Sequence, residues 1–384
     1  VELGSATLNS AKFYAENSQI SIGDLYAENS QMSVKGDLNV SGMEFSGGTF
    51  SADALQVKAD KEDKEDFQYI GFYDGAKAEV KEFSSGGVKG VILDINTSDD
   101  DISKGQGADV TIQKIALSNE SAIQLEKGSL HSDTVNLDKE ALLFANNGTK
   151  AEIQKMTMDN GSCLYVGSYD DEDMVVKEAA DVTVHQLNMK GNSTIAIENG
   201  QLNSDQITMD KSTIDIAGVG TLIANKMTLN NTTLSLSGIQ NKVATLALDA
   251  DEYIQPLDVT QNGVHVEVHD TLEINGGTLQ VNDGSTLTTN QMKLANGSMV
   301  TVDGTNSSYT IKGTDNTVSG DAKIAAINGG SVKLAEGAGI KAEADANNKV
   351  KTIITADDNS TVDVTKGSLY IANAKKDGTV YDVS

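Results

Sequence analysis

Apolar residues in this chain come in short alternating runs. Residues 200–219 read GQLNSDQITMDKSTIDIAGV and residues 220–238 read GTLIANKMTLNNTTLSLSG. Each stretch holds two apolar pairs: Ile207/Met209 with Ile214/Ile216, then Met227/Leu229 with Leu234/Leu236. Thr208, Asp215, Thr228 and Ser235 stand between them. A period of two predicts strands with one buried and one wet face, and no stretch keeps helical spacing long enough to compete.

The pattern recurs at a fixed distance. Val110, Leu130, Val182, Leu202 and Leu222 hold one template position, and the steps 110 to 130, 182 to 202 and 202 to 222 are equal. Residues 148–166 carry a copy one residue longer, ending in Met156/Met158 and Leu164/Val166, and a looser copy has Leu272/Ile274 with Leu279/Val281. A unit this short cannot bury its own apolar face. Stacked on its neighbours at about 4.8 Å in parallel pairing, it builds one continuous narrow core. The fold expected is all-β: a single elongated parallel β-solenoid, or β-helix, over 1–384 with coils of about 20 residues. The general crossover preference makes it right-handed. The rival, tandem antiparallel sandwiches, calls for Pro-rich linkers and a buried Trp or several large aromatics; the chain has 1 Pro, no Trp and 4 % aromatics.

Three segments break the repeat. Residues 59–102 read as an inserted hairpin subdomain, with Asp74-Gly75 as a two-residue turn between strand-like runs. Residues 168–178, SYDDEDMVVKE, read as an acidic loop, and 238–264, with the sole Pro256, as an irregular insertion. Near the start, YAENSQIS at Tyr14 is echoed by YAENSQMS at Tyr26, a shorter spacing that suggests a tighter terminal coil.

Charge and composition narrow the function. Net charge is −27 and all 29 basic residues are Lys. That field repels phosphate backbones, and without Arg there is no bidentate fork for phosphate, so no nucleic-acid partner is expected. A spanning helix needs an apolar run of about 18 residues or more. The chain has none, so no membrane insertion by this segment is expected. Cys163 is the only cysteine, which excludes an intrachain disulfide.

Candidate chemistry is sparse. His265, Glu267 and His269 alternate along one strand face and resemble a zinc set. Residues four apart on a strand lie about 13 Å apart, however, so a solvated polar face is expected. His185 shares a template column with Gln113, Asp133, Asp205 and Asn225, which predicts a polar ladder at a corner rather than a general base. His131 has no partner in its local sequence. Asp170, Asp171 and Asp173, and the Asp99–Asp101 run, are weak calcium candidates without EF-hand spacing. Asn119, Asn147, Asn160, Asn192, Asn231 and Asn296 each begin an Asn-x-Ser/Thr triplet at an expected turn, where turn chemistry accounts for them. No nucleophile elbow, HExxH helix or P-loop occurs, and no cofactor is expected. Five of the 17 aromatics, Phe67, Tyr69, Phe72, Tyr73 and Phe83, fall within 59–102 and form the candidate partner-binding site. The competing reading packs these rings into a small hairpin core.

The coils at 200–238, together with NGGTLQVNDGSTL (275–287) and INGGSVKL (327–334), resemble the passenger regions of bacterial autotransporters (type V secretion) and related β-helical surface adhesins. The resemblance covers most of 104–240 and 266–370 and lies in repeated Gly/Asn turns, short Ile/Leu/Val strands and low Cys and Pro. It implies export to a Gram-negative cell surface and carries over no catalytic residue. The function expected is a non-enzymatic adhesin or self-association module whose partner is a host-cell or bacterial surface protein or glycan, or a second copy of itself. The alternatives are a β-helical polysaccharide lyase or hydrolase, for which two carboxylates about 5–9 Å apart in a cleft would be needed, and a structural surface spacer.

Overall fold

The computed structural model describes residues 1–58, 67–97, 106–167, 179–238, 264–319, 322–335, 337–343, 354–356, 360–363 and 368–372. The described residues contain strands and turns and no helix. The strands pair in parallel and wrap nearly closed around an axis, which is the β-solenoid. The chain divides into two compact units, Val1–Ile214 with Leu222–Thr232, and Asp215–Thr221 with Thr233–Ser384.

In the first unit the regular coil has one long strand and one short strand. Asp109–Leu117, Ser129–Leu137, Lys150–Met158, Asp181–Met189 and Gln201–Asp210 are the long strands. Each carries two consecutive outward residues at its middle, such as Gln113/Lys114 and Asp205/Gln206, so the strand bends there from one face of the coil to the next. The register fixes the core columns: Val110 faces Leu130, Leu130 faces Ala151, Ala151 faces Val182 and Val182 faces Leu202. Ile207, Met209, Ile214, Ile216, Met227, Leu229, Leu234 and Leu236 are all fully buried, while Thr208, Asp215, Thr228 and Ser235 point outward, as the period of two requires.

Turns between long and short strands are closed by buried hydroxyls. Ser121 Oγ donates to Ser118 O at 2.7 Å, Ser162 Oγ to Asp159 O at 2.7 Å and Ser193 Oγ to Lys190 O at 2.7 Å. These satisfy turn carbonyls that the sheet ladder leaves unpaired. All six triplet asparagines, Asn119, Asn147, Asn160, Asn192, Asn231 and Asn296, have φ between +44° and +64°, the left-handed region that Asn tolerates better than most residues.

Two expectations are corrected. Residues 67–97 are coil, not a hairpin. Gln68–Tyr73 pairs in parallel with the Met43–Ser46 stretch on one side and Val91–Ile95 on the other, and Lys77–Ser84 pairs in parallel with Thr49–Gln56 and with Asp109–Leu117. Asp74-Gly75 is a corner of the coil: Asp74 has φ +53° and Gly75 φ +73°. The Asp74 carboxylate accepts from Ser46 Oγ at 2.7 Å and Thr97 Oγ1 at 3.1 Å. Nor does the echo at Tyr14 and Tyr26 make a tighter coil. Glu2 faces Ser21 and Thr7 faces Tyr26, a full-length step close to that of the regular coils.

The second unit keeps parallel pairing with wider steps. Thr278 faces Met299, Met299 faces Lys323 and Ile324 faces Ile354, so the coil lengthens along the unit. Among the described residues, polar groups in its core are held by partners. Tyr309 is fully buried with its hydroxyl 3.1 Å from Thr289 Oγ1, and the buried Asn316 accepts from Met292 N at 2.7 Å and donates to Gly339 O at 2.8 Å.

Candidate functional site

The five aromatics of 59–102 separate by direction. Phe72 and Phe83 are fully buried, Phe72 facing Phe45 and Phe83 facing Leu55 in the core columns. Phe72 joins Phe45 and Phe50 in a ring cluster with centroids 5.4–6.4 Å apart. They belong to the core and not to a partner site, because strand periodicity turns residue 72 inward beside residue 70. Phe67 and Tyr69 point outward and are 56 % and 51 % exposed.

Tyr73 is half-buried and locked. Its ring lies over Gly71, where an added Cβ would come within 2.2 Å of the ring, and its hydroxyl donates to Asp94 Oδ2 at 2.9 Å. Burial, then the Asp94 charge, raises the Tyr73 phenol well above its ordinary range. Burial also raises the Asp94 carboxyl, against the pull of the Tyr73 hydrogen bond.

The open pair is held by small neighbours. Gly90 makes room for Phe67: a Cβ there would sit 3.1 Å from the ring. Tyr69 faces Ile92 on one side; on the other lies Gly42, just before Met43, which faces Ile70. A glycine beside the tyrosine leaves one flank of the ring without a covering side chain. An aromatic face of this kind suits a sugar ring or an apolar side chain.

A second outward feature runs along the long-strand corners. His185 Nδ1 lies 2.7 Å from Asp205 Oδ2, and Asn225 Nδ2 donates to Asp205 Oδ1 at 3.0 Å, which is the ladder expected from the column. His131 is not alone. Its Nδ1 is 3.6 Å from Glu152 Oε2, and the other oxygen of Glu152 is 3.8 Å from His185 Nε2. Elsewhere in this unit Lys35 pairs with Glu16 at 2.9 Å and Lys81 with Asp53 at 2.7 Å. Hydrogen bonding to the lysine lowers the carboxyl of Glu16 and of Asp53. Exposed pairs of this kind contribute little to stability, because solvent screens them and ordering two long side chains costs entropy. Lys155, His185, Asp205 and Lys226 line an open groove on the corner face.

In the second unit Glu267 is the centre of the His265/Glu267/His269 face. Its Oε2 is 3.4 Å from His269 Nε2 and 3.9 Å from His265 Nε2, its Oε1 is 3.4 Å from Lys312 Nζ, and His265 Nδ1 turns to Thr286 Oγ1 at 2.8 Å. Burial works to raise Glu267, but hydrogen bonds from His269 and Lys312 outweigh it and the carboxyl lies below its ordinary value. Among the described residues no group of three or more His, Cys, Asp and Glu side chains is placed to hold a metal ion. Asp170, Asp171 and Asp173, Asp99–Asp101, the rest of the acidic loop from 168 to 178, and residues 239–263 of the third break lie outside the described residues. Cys163 is a free thiol on an outward column, its pKa raised by burial. Among the described residues no helix is long and apolar enough to cross a membrane.

Sequence reasoning missed the surroundings of Asp94. Its oxygens, those of Glu126 and the amides of Asn146 and Asn147 come from three successive coils and share no local motif. Compared with known proteins, the chain matches no family model, no curated protein and no solved structure.

Proposed function

We propose that the protein is a non-enzymatic binding rod, an adhesin or self-association module displayed at a bacterial cell surface. Its partner is a surface protein or glycan met through the aromatic pair Phe67 and Tyr69. The observation that carries this reading is the outward exposure of those two rings on a rigid coil whose other phenylalanines, Phe72 and Phe83, are buried. A parallel solenoid suits the task because each coil contacts only its neighbours, so outward residues vary without cost to the core. The resemblance of the coils to autotransporter passengers supports the location. The glycan-cleaving alternative is less well supported. At Asp94, which feels the charge of Glu126, one carboxylate oxygen is cut off from solvent, where a general acid has to reach the glycosidic oxygen, and at the His185 corner Asp205 and Glu152 are both engaged by the imidazole.

The test is a Phe67→Ser/Tyr69→Ser double variant, assayed on a glycan and host-protein array and by adhesion or aggregation of cells displaying the chain. The expected result is an unchanged cooperative melt with binding and adhesion lost. Adhesion at the wild-type level with the double variant displayed would place the site elsewhere.

A further inference from the structure

Among the described residues three side-chain oxygens are buried without a hydrogen-bond donor: Asp94 Oδ1, Asn146 Oδ1 and Asn147 Oδ1. Asn147 is only 5 % exposed. Asp94 stands two residues out of register with Glu126 and Asn146, since it faces Gln124 and Gln124 faces Phe144, and the charge of Glu126 reaches it across that step. Asp94 lies on Val91–Ile95, and Asn146 ends the strand Leu142–Asn146. Between these two strands runs Ala122–Glu126, which pairs with both: Ile95 faces Leu125 and Glu126 faces Asn146.

Glu126 ties the group together. One of its oxygens accepts from Asn96 Nδ2 at 3.4 Å and the other from Asn147 Nδ2. With its amide nitrogen turned to Glu126, Asn147 has its carbonyl oxygen left over, and the assignment cannot be flipped without facing oxygen to oxygen. Asp94 Oδ2 is occupied by Tyr73, which leaves Oδ1. Buried acceptors without donors are rare in folded proteins and call for an explanation. Here two carboxylates and two amide carbonyls supply oxygen alone, with no imidazole or thiolate among them. That is the donor set of a hard cation that takes six to eight oxygens, carboxylate and Asn carbonyl together, and is foreign to zinc. Mg²⁺ holds several of its waters and suits a buried set of amide oxygens less well.

We propose that Asp94, Glu126, Asn146 and Asn147 form a binding site for a hard divalent cation of the calcium type, clamping three successive coils at the end of their short strands. This site is distinct from the acidic loop at 168–178 and does not depend on the adhesive role of Phe67 and Tyr69.

Tyr73 supplies a reporter. Its hydroxyl sits 2.9 Å from Asp94 Oδ2, and the chain has no Trp, so tyrosine is the antenna for sensitised Tb³⁺ emission. The experiment uses the full chain stripped of metal, with Ca²⁺ titrated calorimetrically and Tb³⁺ by emission on tyrosine excitation. Saturable Ca²⁺ binding is expected with Kd on the order of 10⁻⁴ M, the range of extracellular modules, along with Tb³⁺ emission that Ca²⁺ displaces. Asp94→Asn and Asn147→Ser should each weaken Ca²⁺ at least about tenfold, since ligand charge and count set affinity. Tyr73→Phe should remove most of the emission while the calorimetric affinity stays within a few-fold. A triple Asp170→Asn/Asp171→Asn/Asp173→Asn change should leave both readings in place. The proposal is overturned if the wild-type chain shows no saturable Ca²⁺ binding up to about 10 mM, well beyond that range. It is equally overturned if affinity is unchanged in Asp94→Asn and Asn147→Ser chains that keep the β circular-dichroism signal, or if binding is lost in the triple variant instead. Should either single variant lose that signal, the Tyr73→Phe comparison decides, because emission unaffected by removing Tyr73 places the ion elsewhere.

Discussion

The coils between residues 109 and 210 and those that hold residues 43–97 fill the same kind of core with different side chains. In the first, the columns are aliphatic: Ile115, Val135, Met156, Leu187 and Ile207 stack with no ring among them. In the second, Leu55 meets Phe83, and Phe50 meets Phe45 and Phe72 edge to face. Large residues there are balanced by small ones, Phe50 facing Ala78. Enrichment in aromatics therefore does not by itself mark a surface. The backbone decides direction first: of the five rings between 67 and 83, Phe72 and Phe83 turn inward, Tyr73 turns outward but is held by Asp94, and Phe67 and Tyr69 stay open to a partner.

Substitutions of decreasing consequence test this contrast. Ile207→Asp puts an unpaired charge between stacked aliphatic neighbours and should cost more than about 4 kcal/mol, read as loss of the cooperative denaturant transition or a collapse of its midpoint. Phe72→Ala empties the ring cluster and should cost about 3–5 kcal/mol at unchanged m-value. If it costs no more than Phe67→Ala, Phe72 is not a core residue and the comparison fails. Asn160→Ala places an alanine at φ +51° and removes the 2.7 Å bond to Asp138 Oδ1. The expected loss is about 1–2 kcal/mol, most of which Asn160→Gly should recover. Lys190→Met breaks the 2.8 Å pair with Asp159, whose carboxyl is held low by that lysine, and should lower the denaturation midpoint only slightly near pH 7. An acid group held low stabilises the fold above its unfolded pKa, so this small difference should fade as pH drops through and below the ordinary aspartate range. Phe67→Ala and Tyr69→Ala should stay within about 0.5 kcal/mol of wild type in chemical denaturation, the mark of exposed positions.

Much of the solenoid could be read in advance, and the reasons are local. Ile207/Met209 and Leu234/Leu236 alternate with polar residues, and the step from Val182 to Leu202 is the real register of neighbouring coils. The six Asn triplets announce left-handed turns through their own chemistry. What escaped reading depends on distance along the chain. The coil at 67–97 hides because Thr49 faces Lys77 and Lys77 faces Asp109, steps longer than the count that identified the other coils. His131 reads as partnerless in its local sequence because Glu152 belongs to the next coil. The oxygens around Glu126 come from positions 94, 126, 146 and 147, a set that no linear motif contains. Conversely, the Tyr14/Tyr26 echo repeats a local turn, with Ser18 Oγ on Glu16 O and Ser30 Oγ on Glu28 O both at 2.9 Å, without setting the coil step.

The steps between paired residues carry a kinetic meaning. Val110 meets Leu130, and nearly every partner in the first unit lies one coil away, a small fraction of the whole chain. That puts the relative contact order at roughly 0.05, below the range of even small helical bundles, in a chain made wholly of strands. Sheet proteins are ordinarily slow because distant segments must find each other before any reward. Here each coil needs only the one already formed as its template. Folding is then growth from a seed, with the newest coil the least protected, and hydrogen exchange should rise toward the ends of the array.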